Sequence, residues 1–177
     1  MHSLQGKLAL VTGGASGLGA GICHRFVDAR AFVVVADVDE ERGRELAEEL
    51  GDTAVFRGVD VTREEDIAAA VTDTAATRGR LDCLVNNAGR VGSWRFAEDI
   101  PADEWDEVFR LLCRSAFLGI KHASRVMRDH GDGSIVNTGS VASLRAGYGP
   151  HPYGAAKAAV VQLTRSSAVE LAPTESG

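Results

Sequence analysis

Three side chains in the last third of the sequence have the types and spacing to share one reaction: Ser140, Tyr153 and Lys157. Tyr153 and Lys157 are spaced i, i+4, which puts them on one face of a helix. A free phenol ionises at about pH 10 and is a poor base at neutrality. An ammonium beside it favours the phenolate and makes the pair a usable proton acceptor. A serine hydroxyl beside the same oxygen would donate a hydrogen bond to a carbonyl or an alkoxide. The chemistry these types suggest is proton transfer at the oxygen of an alcohol or a ketone, which needs a hydride carrier to complete it. Alone, Tyr-x-x-x-Lys is a frequent spacing on solvated helix faces, so the reading depends on what the rest of the chain supplies.

The N-terminal part supplies a place for a carrier. Thr12-Gly13-Gly14-Ala15-Ser16-Gly17-Leu18-Gly19 follows the apolar run Leu8-Ala9-Leu10-Val11 and opens a helical run over 17–29. Gly13 permits a tight turn, Gly17 lets backbone approach a pyrophosphate, and Gly19 allows close helix packing. Ser16, Gly17, Leu18 and Gly19 then offer the free N–H groups and partial positive charge of a helix N-terminus to an anion. Phe32–Asp37 reads as a buried strand that ends in a carboxylate about 20 residues on, where an acid accepts from adenosine ribose hydroxyls and repels a 2′-phosphate. No Arg or Lys stands in the glycine turn or directly after Asp37, so the expected cofactor is NAD rather than NADP. The competing role for Asp37 is to cap the following helix.

The elements between these two sets must bring them together. Strands are expected over 7–12, Phe32–Asp37, 53–59, 81–85 and 134–140, the first two short, apolar and rich in β-branched residues. Helices are expected over 17–29, Glu40–Leu50, Glu64–Arg78, a long segment from Pro101 to about residue 129, and 153–171. Leu18, Ile22 and Phe26 form the apolar stripe of the first; Ile67, Val71 and Ala75 that of the third. Trp105, Val108, Phe109, Leu112, Ala116 and Ile120 stripe the long one. Asp60 or Thr62 is placed to cap the helix near Glu64. Strand and helix in alternation mean βαβ units: an α/β fold with a doubly wound parallel sheet in three αβα layers, as a single domain over 1–177. Right-handed crossovers put the glycine turn, Asp37, Asp60, Asn87 and Ser140 on one rim, where such sheets bind ligands. The small residues of Asn86-Asn87-Ala88-Gly89 leave room there for a flat adenine or ribose.

Composition excludes several classes. A net charge of −6 argues against a nucleic-acid surface, and no apolar run is long enough to span a bilayer or lead secretion. Cys23, Cys83 and Cys113 show no metal spacing or disulfide framework, and His2, His24, His122, His130 and His151 show no paired ligand spacing. The expectation is a cytoplasmic protein with no metal site. The candidate pocket walls, 91–96 and 141–149, are mostly apolar or small. Arg95 and Arg145 lie in them as solvent-facing residues or as partners for an anionic group.

Taken together, the glycine turn, Asn86-Asn87-Ala88-Gly89, Ser140 thirteen residues before Tyr153, and Tyr153-Gly154-Ala155-Ala156-Lys157 resemble the short-chain dehydrogenase/reductase family over essentially the whole chain. The resemblance implies a Rossmann-type fold and interconversion of a secondary alcohol and a ketone. It implies Asp60 and Val61 near the adenine, Asn87 near the adenosine ribose, with Ala88 and Gly89 beside it, and Tyr153 and Lys157 at the nicotinamide ribose. It also implies a homodimer or homotetramer through the helices near 103–129 and 153–171, where Gly154, Ala155, Ala158 and Ala159 permit close approach. Two departures stand out. The family's helix asparagine, which holds a water linking the lysine to solvent, falls at Leu112, and no asparagine occurs between Asn87 and Asn137. Ser115 is the candidate to hold a replacement water. After Glu170-Leu171-Ala172-Pro173 the family continues into further strands and a substrate-covering segment, whereas this sequence ends at Gly177, leaving the fold without its last strands. These departures favour a slower enzyme, or alternatively a non-catalytic nucleotide-binding remnant of the same fold.

Overall fold

A computed structural model describes residues 3–172; His2 and Pro173 lie outside them. The element order is β1 (Leu8–Thr12), α1 (Gly17–Asp28), β2 (Phe32–Asp37), α2 (Glu40–Leu50), β3 (Ala54–Gly58), α3 (Glu64–Arg78) and β4 (Cys83–Asn86). Then come α4 (Ala102–Phe109), α5 (Ser115–His130), β5 (Ser134–Asn137) and α6 (His151–Leu171). The five strands form one parallel sheet in the order β3-β2-β1-β4-β5. The order reverses between β1 and β4, so the crevice for a ligand opens above their carboxyl ends.

Alternation along the strands divides the core. Leu8, Leu10, Val34, Ala36 and Leu84 meet Ile67, Ala70 and Val71 of α3 and Leu118, Ala123 and Met127 of α5. Their neighbours Val11, Val33, Val35 and Val85 meet Cys23 of α1 and Leu46 of α2 on the other face. A strand buried on both faces has no polar side, which is why these segments read as unbroken apolar runs. The helices carry their own signals. Acids fill the first turns of α2, α3 and α4, and Gly79 and Gly131 end α3 and α5 in the left-handed conformation. Among the described residues no helix is long and apolar enough to cross a membrane.

Several boundaries differ from the sequence reading. In α1 the buried residues are Gly19 and Cys23, with Ile22 and Phe26 packed alongside, while Leu18 is 63% exposed because it stands in the first turn above the sheet edge. Asp39, not Asp37, caps α2, accepting from the Arg42 amide at 3.1 Å. Neither Asp60 nor Thr62 caps α3: Arg63 occupies the cap position, and Asp60 closes a local turn by accepting from Thr62 N and Oγ1. Pro101 precedes α4 at its N-cap rather than lying in its first turn. The expected long helix is interrupted by a π turn at Arg110–Arg114, where the Ser115 hydroxyl donates to the Leu111 carbonyl. β3 and β4 are shorter than expected, at Ala54–Gly58 and Cys83–Asn86. β5 stops at Asn137, three residues before Ser140. The loop expected to run to Pro152 ends at Pro150, and α6 begins at His151 with Pro152 in its first turn, where a missing N–H costs nothing.

Candidate active site

The glycine turn is built as a cradle. Gly13 has φ +63°, and a Cβ there would lie 2.6 Å from the Ala88 Cα. Gly19 admits no side chain either, since its Cβ would fall 1.9 Å from the Gly13 carbonyl oxygen. Gly17, at φ +52°, faces open space. Ser16 precedes α1 without a side-chain cap, and the first turn of α1 holds no acid, unlike those of α2, α3 and α4. Ser16, Gly17 and Leu18 are all exposed. A helix N-terminus with free amides, no competing carboxylate and open space at a left-handed glycine fits a pyrophosphate.

The strand ends surround that turn. Asp37 Oδ2 accepts from Ala15 N at 3.0 Å and Oδ1 from Asp39 N at 3.1 Å, so the carboxylate is fixed beside the turn with acceptor capacity left on both oxygens. Asp60 is tied to the Thr62 turn, while the Val61 side chain is buried in the core, leaving its backbone to meet a ligand. Asn87 is a fastener: its Nδ2 donates to the Thr12 and Gly13 carbonyls at 3.1 and 3.2 Å, and its Oδ1 accepts from Thr138 Oγ1 at 3.3 Å. Thr12, which the sequence reading passed over, accepts from Asn87 N and Ala88 N and donates to the Val85 carbonyl. A threonine closing a buried strand was the available signal. Gly89 lies under Leu112, whose Cδ2 would be 2.6 Å from a Cβ there.

The three reacting candidates converge on α6. Lys157 is 5% exposed, its ammonium donates to the Thr138 carbonyl at 2.6 Å, and it lies 5.9 Å from the centroid of the Tyr153 ring. Burial pushes the Lys157 amine below its ordinary pKa. The Tyr153 ring packs with Val108, Leu112 and Ala156, and its Cδ1 comes within 2.8 Å of where a Gly149 Cβ would be. Ser140 is not the end of β5; it caps the short turn Val141–Ser143, its Oγ accepting from Ala142 N at 3.1 Å. That turn sits on α6, for Ala142 lies against Gly149 and Gly154 on either side of Tyr153. With its oxygen used as an acceptor, the Ser140 hydroxyl keeps its proton to donate. Leu112 is 3% exposed in the π turn, and the Ser115 hydroxyl is committed to the Leu111 carbonyl.

Exposed apolar side chains stand on two loops: Val91, Trp94 and Phe96 on one, Val141, Leu144 and Tyr148 on the other. The first loop rests on the Tyr153 cluster through Gly92, which lies against Val108. Glu104 of α4 clasps it, accepting from the Ser93 hydroxyl and pairing with Arg95 at 3.5 Å, so both neighbours of Trp94 are held. Arg95 is therefore engaged, and Arg145 is exposed.

A family model described as short chain dehydrogenase matches residues 7–175. Zerumbone synthase of Zingiber zerumbet is 44% identical over 171 residues, covering 95% of this chain and 64% of that protein. Sex determination protein tasselseed-2 of Zea mays is 46% identical over 95% of this chain and 52% of its own length. For (+)-borneol dehydrogenase 2 of Salvia officinalis the figures are 43%, 95% and 60%. The chain thus spans between about half and two thirds of the length of these relatives. A solved short chain dehydrogenase from Mycobacterium smegmatis superposes with a TM-score of 0.90 at 37% identity, over 97% of this chain and 75% of that one. Levodione reductase gives 0.90 at 36%, over 94% and 66%.

Proposed function

The chain belongs to the short-chain dehydrogenase family, and from that premise we propose that it is an NAD-dependent oxidoreductase interconverting a secondary alcohol and a ketone. The observation that carries the reading is the Lys157 ammonium, buried, anchored on Thr138 and adjacent to the Tyr153 ring, beside a turn whose Ser140 hydroxyl is free to donate. Bound in the cradle of Gly13, Ser16, Gly17, Leu18 and Gly19, the nicotinamide cofactor supplies or accepts hydride. Tyr153 takes the substrate hydroxyl proton during oxidation and returns it during reduction, with the Lys157 ammonium held beside its ring. Ser140 donates to the substrate oxygen and orients it. Similar proteins include a borneol dehydrogenase and a levodione reductase, one named for an oxidation and one for a reduction. The exposed apolar side chains of the two loops, 91–96 and 141–148, support a hydrophobic substrate.

Asp37 supports NAD over NADP, since its fixed carboxylate repels a 2′-phosphate, and the nearest cation along the chain, Arg42, is paired with Asp39. Asp37→Ser is expected to weaken NADH binding about tenfold and to shift the NADPH-to-NADH preference about a hundredfold toward NADPH, read by cofactor fluorescence titration. An unchanged preference would remove Asp37 from the ribose site. At the substrate side, Glu104→Ala releases the Trp94 loop. The expected result is a several-fold rise in KM for an apolar alcohol with NADH affinity unchanged, in steady-state kinetics; an unaltered KM would leave that loop outside the substrate site.

Titration with NADH alongside a panel of secondary alcohols and ketones tests the reading as a whole. Binding without turnover, the same in Tyr153→Phe, would instead favour a non-catalytic nucleotide-binding remnant, the reading to which buried Leu112 lends support. Assembly would use the helices over 103–129, which are α4 and α5, together with α6; between α4 and α6, Ala97, Ile100, Trp105, His151 and Ala155 line an apolar groove of about 500 Å³. Three free thiols suit a cytoplasmic setting.

A further inference from the structure

β5 is fastened to α6 at two points by consecutive residues. The Thr138 carbonyl accepts from Lys157 Nζ at 2.6 Å, and the Asn137 Nδ2 donates to Thr164 Oγ1 at 3.0 Å. Lys157 and Thr164 are seven residues apart, two turns along one face, a separation of about 10 Å. One attachment would leave the helix free to rotate or slide about it; two fix both. The second attachment is itself braced. Asn86 and Asn137 are register partners on β4 and β5, and Asn86 Nδ2 donates to Asn137 Oδ1 at 2.8 Å. The same nitrogen reaches the Ala116 carbonyl of α5 at 3.4 Å. Asn86 can approach that closely because Gly119 leaves the space: a Cβ there would lie 2.1 Å from Asn86 Oδ1. Thr164 Oγ1 in turn donates to the Val160 carbonyl at 2.7 Å. The result is a line of donors from the Asn86 amide to the Asn137 amide to the Thr164 hydroxyl, running from β4 through β5 to the helix that carries Tyr153 and Lys157, with Asn86 also donating back to α5.

We propose that Asn137 and Thr164 are a positioning pair, which sets the axial height and rotation of α6 so that Lys157 is held beside Tyr153. The proposal rests on the oxidoreductase reading for its kinetic consequence but not for its geometry. Apolar contact such as Val161 against Gly139 keeps α6 on the sheet without the pair; what the pair adds is orientation. A threonine serving only its own Val160 carbonyl would have no such effect.

The test compares Thr164→Val, which keeps the shape and removes the hydroxyl, with Thr164→Ser, which keeps the hydroxyl. In the valine variant kcat is expected to fall about tenfold, with KM and NADH affinity within about twofold, and serine restores most of the loss. A second readout needs no substrate. The chain has three lysines, Lys7, Lys121 and Lys157, so 15N-lysine NMR resolves each side chain. The Lys157 midpoint, lowered by burial, is expected to move toward the ordinary lysine value in Thr164→Val and to stay in place in Thr164→Ser. Wild-type kcat and an unmoved Lys157 in the valine variant would overturn the proposal, as would a serine variant as impaired as valine. If the wild-type protein turns over no alcohol or ketone, the oxidoreductase reading fails and the lysine titration decides the positioning role by itself. Should Thr164→Val not fold, Thr164→Ala, which adds no bulk, is read by the same criteria.

Discussion

Tyr153→Phe is expected to lower kcat about a thousandfold while NADH affinity stays within about twofold. The size of the effect follows from how little else the change disturbs. The ring is held by Val108, Leu112 and Ala156 and by the close approach of its Cδ1 to Gly149, apolar packing that a phenylalanine ring keeps. Lys157 remains bonded to the Thr138 carbonyl, so the phenylalanine variant keeps its ammonium in place. Only the proton acceptor is lost. The measurement is steady-state kinetics on the best alcohol or ketone found, with fluorescence titration of NADH and a melting curve to show that the fold is intact. Turnover retained to within tenfold would take Tyr153 out of the proton-transfer role.

That result would bear on residues the sequence already displayed, whereas other parts of the site could not be read there. Phe32–Asp37, Glu40–Leu50 and Glu64–Arg78 stand in the structure with the bounds that their periodicity and flanking residues gave. Local signals were strong: β-branched runs, acids in the first helical turn, and glycine in the left-handed position at Gly79. The glycine turn was legible because Gly13 and Gly19 are required by steric contact that no other residue satisfies. The π turn at Arg110–Arg114 was not, since Leu111, Leu112 and Cys113 are ordinary helix formers and nothing in the run breaks a helix. What accompanies it is one local contact, Ser115 on the Leu111 carbonyl, and one tertiary contact, Leu112 packed over Gly89. Ser140 read as a strand residue because Ser134–Asn137 continues smoothly into it; the sheet stops earlier because its hydroxyl captures the Ala142 amide. Thr138 had no distinguishing mark at all. Its role is made by a backbone carbonyl, which every residue has, meeting a lysine nineteen positions away.

Asp82 offers the largest expected effect on stability, at the end of the sheet opposite the site. Its side chain is 4% exposed. Oδ2 accepts from the Leu8 amide at 2.8 Å, and Oδ1 pairs with Lys7 at 3.1 Å and with Arg80. Its backbone joins β1 and β5 to β4, with Asp82 N on the Leu8 carbonyl and Ser134 N on its own carbonyl, both at 2.9 Å. Burial pushes the carboxyl up, but the Leu8 amide, Arg80 and Lys7 together outweigh burial and hold it below its ordinary value. Asp82→Asn puts an NH2 group where two cations now find an acceptor. Because Lys7 and Arg80 are about 40% exposed and can recover water, the cost is about 2 kcal/mol, below that of breaking a wholly buried pair. For a chain of this size that lowers Tm by about 4–8 °C. The sign with pH follows from linkage. A carboxyl whose folded pKa is depressed contributes its stability above the unfolded value and loses it as pH falls through the folded one. Urea midpoints for the wild type and Asp82→Asn should therefore be well separated at pH 6 and begin to close on each other as pH falls below about 4, while kcat at 25 °C stays unchanged because Asn86 and Asn87 at the far end of β4 keep their partners. A gap between the two midpoints that did not narrow at all as pH fell below about 4 would show that the asparagine harms packing rather than charge, and the electrostatic account of this corner of the sheet would fall.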